Sequence, residues 1–190
     1  MRARACARAN MRWNRHPLRG CRSAARSRKE MKSIRYKPIG TIRTPFKDLA
    51  GMPIQPVGAR RTRGTVEVAA EYQAGLEDLK GFSHVILLYH FHRSRGYDLQ
   101  VTPFLDSHRR GLFATRAPKR PNPIGLSVVR LVGIKGRTLT IDGIDVLDGT
   151  PLLDIKPYVP EFDHPRSTRI GWLKKAQAKA RSHKADNRFK

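Results

Sequence analysis

Three histidines at positions that differ by even numbers are the first residues of this chain whose types could support chemistry. His84, His90 and His92 belong to the apolar run FSHVILLYHFH (82–92), and a β-strand directs alternate side chains to one face. Such a group could bind a metal ion, but no cysteine or carboxylate stands beside it at ligand spacing. We therefore predict no metal site. His92 and the adjacent Arg93 remain candidates for contact with a ligand, because loops at strand ends commonly build sites.

A second candidate group is a run of cations without a single acid. From Ser107 to Ile141 the chain contains neither Asp nor Glu. Since exposed surfaces generally mix both signs of charge, a one-sign window indicates a face that meets phosphate groups. Chance in a strongly basic chain is the alternative explanation. The cations are Arg109, Arg110, Arg116, Lys119, Arg120, Arg130, Lys135 and Arg137.

Four aspartates follow this basic window, and two of them have contrasting patterns. Asp145 alternates with Ile144 and Val146, so its carboxylate could face a cavity. Asp148 belongs to LDGTP, where Asp and Gly are typical of a turn. We interpret Asp145 as a candidate site residue and Asp148 as a turn residue.

The segment TRAPKRPNPIG (115–125) is rigid and basic and precedes the apolar run LSVVRLVGI. Each of its three prolines fixes φ and lacks a backbone donor, so the segment can be neither helix interior nor central strand. It therefore predicts a stiff loop before a strand.

Composition and charge limit the class of protein. The chain has 190 residues and a formal net charge of +24, of which +9 lies in residues 1–30 and +8 in residues 164–190. Basic tails are typical of proteins that meet nucleic acid or an anionic surface, although solubility is the simpler explanation. No apolar run is long enough to cross a membrane. Fingerprints of P-loop and dinucleotide-binding folds are missing.

The first 30 residues differ from the rest of the sequence. They hold both cysteines, Cys6 and Cys21, which leaves the body without a possible disulfide and favours a reducing cytoplasm. This leader lacks the apolar centre of a secretory signal, and its Arg-rich, nearly acid-free composition also describes a transit peptide. We expect Met31 to be the natural start and residues 1–30 to be disordered or untranslated. The predicted domains are therefore 1–30, a body over 31–163, and a basic tail over 164–190.

Short strands with frequent turn signals predict a mainly β protein, a β-barrel or sandwich with one or two short helices. We predict helices over 71–81 and, with basic character, over 167–184. The predicted strands are 35–46, 65–68, 82–92, 99–105 and 111–115, followed by a segment 124–150 with two strands that join at KGR and a possible third at IDV.

Four motifs together resemble the TsaA-like (TrmO) family of S-adenosylmethionine-dependent tRNA methyltransferases. They are FATRAPKRPNPIGLSVVRL, DVLDGTPLLDIKPYVPEFD, GFSHVILLYHFHRS and IQPVGARRTRG. The resemblance covers about residues 35–163. It implies a single-sheet β-barrel, a homodimer, and methylation of N6 of N6-threonylcarbamoyladenosine beside the tRNA anticodon.

By this resemblance four segments would hold S-adenosyl-L-methionine. The proline loop would preorganise Arg116 and Leu126, and the cations around it would face tRNA. The implied cofactor residues are Gln55, Pro56, Val57, His92, Arg93, Arg116, Leu126, Gly143, Ile144 and Asp145. The expected RNA-binding residues are Arg109, Arg110, Lys119, Arg120, Lys174 and Lys175.

Long family members carry a further C-terminal domain, whereas this chain has only the basic segment 164–190 after the body. We expect that segment to hold RNA and to leave the cofactor untouched. His92, Tyr89 and Asp145 are the candidates for a catalytic base. A non-enzymatic RNA-binding barrel is one alternative function, although Phe113 is the only aromatic residue in the basic window. A protein that binds the cofactor without an RNA substrate is another.

Overall fold

The computed structural model describes residues 32–49, 52–53, 59, 61–165, 167–175 and 184–186. The chain divides into two compact units, Met1–Ile34 and Arg35–Lys190, and the described residues of the second unit form the fold. The predicted boundaries at residues 30 and 163 stay predictions. The strands are β1 (Gly40–Arg43), β2 (Arg63–Val68), β3 (His84–His90), β4 (Gln100–Val101), β5 (Arg110–Gly111), β6 (Ile124–Lys135), β7 (Thr138–Asp142) and β8 (Thr150–Pro157).

Six of these strands close into a barrel in the order β1-β2-β7-β6-β3-β8. All of its strand pairs are antiparallel, and a short hairpin of β4 and β5 stands apart from it. Closure leaves no barrel edge with unpaired backbone groups. The prediction of a mainly β single-sheet barrel is therefore confirmed.

Alternation along the strands explains the core. In β3, Val85, Leu87 and Tyr89 are buried, while the residues between them are half-buried. β3 thus has one face toward the core, and its other face is half-buried. The outward positions include His84 and His90, and His92 lies beyond the strand in a turn. The three histidines therefore do not line one face of a strand.

The hairpin predicted at KGR is confirmed, with Gly136 at φ +58° between β6 and β7. A strand at IDV is not formed, because Gly143 has φ +87° and turns the chain out of β7. Ile144 and Val146 nevertheless enter the core. The prediction of a strand at these residues is therefore wrong, and Ile144, expected to hold the cofactor, is a core residue.

Two further predicted elements are replaced by 3-10 turns. The predicted helix 71–81 forms turns at Ala70–Leu76 and Leu79–Gly81, separated at Asp78, whose φ is +61°. The predicted strand 111–115 becomes a 3-10 turn at Leu112–Ala114. Here Leu112 packs with Val101 and Ala117 in a small second cluster, which bends the backbone away from an extended path.

Of the predicted helix 167–184, residues 167–170 are not helical, and residues 176–183 lie outside the described part of the chain. After the short helix α1 (Pro160–Asp163) the C-terminal segment has a 3-10 turn at Gly171–Lys175 and an isolated β-bridge between Lys184 and Pro53. Gly171 has φ +55°, which a right-handed helix cannot include in its interior. For Lys175 only the backbone is described. No helix within the described residues is long and apolar enough to cross a membrane.

Candidate functional site

A cavity of about 990 Å³ opens beside the end of β3. This volume lies at the upper end of the range of about 300–1,000 Å³ that small-molecule sites occupy. Apolar side chains dominate its walls, and a few polar groups converge on it. The wall residues fall in 49–53, 89–94, 103–105, 113–120, 124–126, 145–150, 170–173 and 185–186.

One wall is built by a cross-strand pair between β3 and β6. Tyr89 lies opposite Gly125 in the ladder, and a Cβ added to Gly125 would overlap the Tyr89 ring. The absence of a side chain at residue 125 therefore lets the aromatic ring lie flat against the neighbouring backbone. Phe91 contacts the same ring edge-on, with ring centroids 5.5 Å apart.

Behind this wall a chain of hydrogen bonds joins Tyr89, Ser127 and Asp145. The Ser127 hydroxyl donates to Asp145 Oδ1 at 2.7 Å, and the Tyr89 and Ser127 hydroxyl oxygens lie 3.0 Å apart. Because Ser127 has one hydroxyl hydrogen and gives it to the carboxylate, Tyr89 must donate to Ser127. Tyr89 and Ser127 are buried, and Asp145 reaches the cavity.

Burial changes the ionisation of Tyr89 and Asp145, the two end members of this series of hydrogen bonds. Burial raises the pKa of Asp145 to about 6, and the Ser127 hydrogen bond and the Arg116 charge partly offset that rise. Burial and the nearby Asp145 charge raise the pKa of Tyr89 above its usual range. At neutral pH Tyr89 is therefore a neutral donor, while Asp145 is mostly ionised and can accept a proton.

The loop that carries Asp145 is fixed by the segment after β1. Thr44 donates from its hydroxyl to the Val146 carbonyl at 2.8 Å and from its backbone to Asp148 Oδ1 at 3.0 Å. Lys47 pairs with Asp148 Oδ2 at 2.6 Å. Asp148 thus ties two loops together, which supports its interpretation as a turn residue.

The proline loop is held to the barrel by several backbone carbonyls. Ser94 donates to the Pro118 carbonyl at 3.1 Å, and the Phe91 amide donates to the Pro123 carbonyl at 2.8 Å. Arg120 donates to the Thr115 carbonyl at 3.1 Å and to the Ala117 carbonyl at 3.3 Å. The loop therefore presents Arg116 from a framework that is fixed in the free protein.

Five of the residues expected to hold the cofactor meet at this cavity: His92, Arg93, Arg116, Leu126 and Asp145. Ile144 is fully buried in the barrel core, and Gly143 is not among the wall residues. Gln55, Pro56 and Val57 lie outside the described residues. The pKa of His92 is lowered by burial, by Arg93 and by His90, which favours the neutral ring.

The cations expected to bind RNA are more dispersed. Arg120 lines the cavity, whereas Arg110 pairs with Asp106 at 2.7 Å and lies 5.6 Å from the Trp172 ring centroid. Arg109 donates to the Gln100 carbonyl at 3.2 Å. Lys119 and Lys174 are not among the wall residues. The three arginines therefore have internal partners in addition to any external role.

The C-terminal segment contributes to the cavity wall through residues 170–173 and 185–186. The Trp172 indole donates to the Ala114 carbonyl at 2.9 Å, and the Ala185 amide donates to the Met52 carbonyl at 2.7 Å. The expectation that this segment leaves the cofactor untouched stays a prediction, but the sequence did not predict its place in the cavity wall. Sequence reasoning missed it because these partners are 58 and 133 residues apart. Ser127 was detectable, since it is a polar residue at a core-facing position of β6.

A second depression, of about 670 Å³, is open and shallow and lies over β1, β2 and β7. Arg43, Lys47 and Arg63 contribute charge to it, but Arg43 and Lys47 are paired with Glu67 and Asp148. Across the described part of the chain, no three His, Cys, Asp or Glu side chains are grouped so that they could bind a metal ion. The cavity beside β3 is thus the stronger candidate site.

The sequence of this chain is similar to a known family and to several known proteins. The model of the tRNA-methyltransferase O N-terminal domain family matches residues 41–164. A probable S-adenosyl-L-methionine-binding protein of Pyrococcus abyssi is 55% identical over 156 residues, which cover 82% of this chain and 85% of that protein. The mouse tRNA (adenine(37)-N6)-methyltransferase is 34% identical over 74% of this chain, which spans 34% of that protein.

Solved structures give the same result. The crystal structure of TrmO from Pseudomonas aeruginosa superimposes with a TM-score of 0.63 at 43% sequence identity. The match covers 74% of this chain and 63% of that one. The family model matches residues 41–164, which include nearly all of the barrel and most of the cavity wall. The likeness in fold and the likeness in sequence therefore indicate the same family. This chain belongs to the tRNA-methyltransferase O N-terminal domain family.

Proposed function

We propose that this protein transfers a methyl group from S-adenosyl-L-methionine to N6 of an adenosine in tRNA. The general activity, that of an S-adenosylmethionine-dependent tRNA methyltransferase, follows from membership of the family. The target we propose is N6-threonylcarbamoyladenosine in the anticodon loop. The position is suggested by the mouse relative, whose name specifies adenine 37 and N6.

The single observation that carries this proposal is the meeting of Arg116, Asp145, His92 and Arg93 in one apolar cavity. S-adenosyl-L-methionine carries a carboxylate, an amine, ribose hydroxyls and a purine, so it requires ionic partners of both signs and apolar walls. The cavity offers all of these, and its volume accommodates a ligand of that size. Its residues therefore fit the cofactor.

When bound, S-adenosyl-L-methionine supplies an activated methyl group. The main work of the protein is then to align the acceptor nitrogen and to exclude water, and such positioning can contribute roughly 7–11 kcal/mol. The stiff proline loop and the barrel wall at Gly125 serve this purpose, because neither needs to be ordered during binding. Extruding an adenosine from an unpaired loop costs less than extruding it from a duplex.

We assign proton acceptance to Asp145. The N6 nitrogen of the proposed substrate has a delocalised lone pair, so losing its proton assists attack. Tyr89 is excluded as the base because its hydroxyl hydrogen is donated to Ser127 and its pKa is raised. Asp145 is ionised above about pH 6 and reaches the cavity. A base with a pKa near the working pH is the most effective. Ser127 holds the carboxylate in place.

Labelled cofactor tests this function directly. Wild-type protein is incubated with methyl-labelled S-adenosyl-L-methionine and total tRNA, and the digested nucleosides are separated. Label in an N6-methylated adenosine is expected. Calorimetry with Arg116→Ala should show weaker cofactor binding than wild type. Binding of the cofactor without label transfer to any tRNA would instead favour the alternative of a cofactor-binding protein that lacks an RNA substrate.

Two partner predictions accompany this function. Binding of tRNA is suggested by the acid-free window from Ser107 to Ile141 and by the family. A homodimer is expected from the family resemblance, and light scattering on the full chain in solution tests it. A monomer at every concentration would contradict the dimer and leave the methyl-transfer proposal intact.

A further inference from the structure

The Phe113 side chain lines the cavity, and the fold buries little of its ring. Its relative exposure is 75%. Among the described residues the exposed aromatic side chains are Tyr36, Phe82, Tyr97, Phe113 and Phe162. Of these five, only Phe113 lines the cavity.

The backbone under Phe113 is firmly held although its side chain is not buried. Leu112, the preceding residue, is 1% exposed, and its amide donates to the Leu99 carbonyl at 2.9 Å. Ala114, the following residue, accepts a 2.9 Å hydrogen bond from the Trp172 indole. The ring is therefore displayed from a fixed support, which lowers the ordering cost of any contact that it makes.

A cation lies beside the ring. The guanidinium carbon of Arg120 is 5.7 Å from the Phe113 ring centroid, within range of a cation–π contact. Hydrogen bonds from Arg120 to the Thr115 and Ala117 carbonyls keep the guanidinium there. The exposure of the ring shows that much of it stays open to solvent despite this contact.

We propose that Phe113 is a stacking platform for an unpaired nucleobase of the RNA substrate at the mouth of the cavity. An open aromatic ring beside a cation suits a base and its neighbouring phosphate, because any base can stack on it. The acid-free window around Phe113 is positively charged, which favours a polyanion such as RNA as the ligand. This inference rests on the proposed function, since it concerns how that substrate is held.

The test uses the full chain and a single-stranded RNA oligonucleotide that carries 2-aminopurine. Stacking on an aromatic ring quenches 2-aminopurine fluorescence. Phe113→Leu keeps an apolar side chain but removes the aromatic face, whereas Phe113→Tyr keeps the face. We expect Phe113→Leu to weaken binding about 5-fold to 100-fold, as loss of one stacked base does, and to lose quenching. Phe113→Tyr should restore both.

Phe162→Leu is the matched control, because Phe162 is 82% exposed and is not among the cavity residues. It should bind the oligonucleotide within about two-fold of wild type, as surface substitutions usually do. An unchanged melting temperature of Phe113→Leu shows that the variant is folded. Equal RNA affinity and quenching in wild type and Phe113→Leu would overturn the stacking platform.

Failure of this inference and failure of the proposed function are separate results. If wild type labels tRNA and Phe113→Leu does so with the same KM for tRNA, the platform is wrong and the methyltransferase proposal stands. If wild type transfers no label but loses oligonucleotide binding and quenching on Phe113→Leu, the RNA platform stands and the methyl-transfer proposal fails.

Discussion

Ser127 donates its hydroxyl hydrogen to Asp145 across 2.7 Å. Ser127 lies on the core-facing side of β6, where the neighbouring positions are also buried. A serine that is 1% exposed and satisfies a cavity carboxylate links the barrel interior to the candidate site. The ionisation of Asp145 therefore depends on the packing of the barrel as well as on the ligand.

Asp145→Asn should abolish methyl transfer and stabilise the protein at alkaline pH. Burial raises the pKa of Asp145 to about 6 in the folded protein, above the value of about 3.9 for an unperturbed aspartate. The folded state thus holds more protons than the unfolded state between these values, so stability falls as pH rises through that window. Removing the charge should recover on the order of 3 kcal/mol at pH 8, because each pKa unit corresponds to about 1.4 kcal/mol.

Denaturant unfolding of wild type and Asp145→Asn at pH 8 and pH 4 checks this effect. At pH 4 the two should differ little, because the folded carboxyl of wild type is then protonated. A variant that is less stable than wild type at pH 8 would contradict a buried, destabilised carboxylate. A variant that keeps full methyl transfer would remove Asp145 from the role of base.

Ser127→Ala should shift the pH dependence of methyl transfer to higher pH. The Ser127 hydrogen bond lowers the pKa of Asp145 against the effect of burial, so its loss raises that pKa further. The Tyr89 hydroxyl also loses its acceptor, and a buried unpaired hydroxyl costs about 1–3 kcal/mol. The measurement is the rate of methyl transfer between pH 5 and pH 9.

Ser127→Thr keeps the hydroxyl and is the conservative comparison. It should retain more of the wild-type pH profile than Ser127→Ala does. If Ser127→Ala lowers the rate equally at all pH values, Ser127 has a structural role only and does not tune Asp145.

Gly125→Ala should destabilise the barrel and reduce methyl transfer together. The added Cβ would overlap the Tyr89 ring, which must move and disturb its bond to Ser127. Overpacking of this kind costs about 1–3 kcal/mol. Gly133→Ala is the control in the same strand, because its added Cβ meets nothing within 4 Å. Thermal melts of the two variants should differ clearly, and equal melting temperatures would show that the Tyr89 ring adapts without cost.

Removing residues 174–190 should weaken both tRNA and cofactor binding. This segment carries much of the C-terminal positive charge, and loss of phosphate contacts flattens the dependence of log affinity on log salt by about 0.7–0.9 per contact. The truncation also removes the Ala185 donor to Met52 and the cavity residues 185–186. Filter binding at several salt concentrations and calorimetry with the cofactor measure the two effects.

Each effect can fail separately. If the slope of log tRNA affinity against log salt is unchanged, the basic tail only keeps the protein soluble, and residues 107–141 make the RNA contacts. An unchanged cofactor affinity would show that the C-terminal wall of the cavity does not touch the cofactor. Trp172→Phe, which keeps an aromatic ring but removes the donor to Ala114, isolates the contribution of that anchor.

The sequence by itself determined the class of fold and the family, because these depend on local pattern, and it predicted five of the residues that line the candidate cavity. Short apolar patterns predicted β1, β2, β3, β6 and β7, whereas β8 was not predicted. The three prolines of residues 115–125 predicted a stiff loop. Strand-end position and family resemblance together predicted four of these cavity residues, which are His92, Arg93, Arg116 and Leu126. Asp145 was identified from its alternation with two core residues.

Only the tertiary structure decided how these residues are connected. The bond from Ser127 to Asp145 follows from the pairing of β6 with its neighbours, and the fit of Tyr89 over Gly125 follows from the register of β3 and β6. Positive φ at Gly143 and Gly171 redirected segments that the residue pattern assigned to a strand and a helix. Trp172 reaches Ala114 across 58 residues. Such contacts join residues that are far apart in the sequence and meet only when the barrel closes, so the local residue pattern does not predict them.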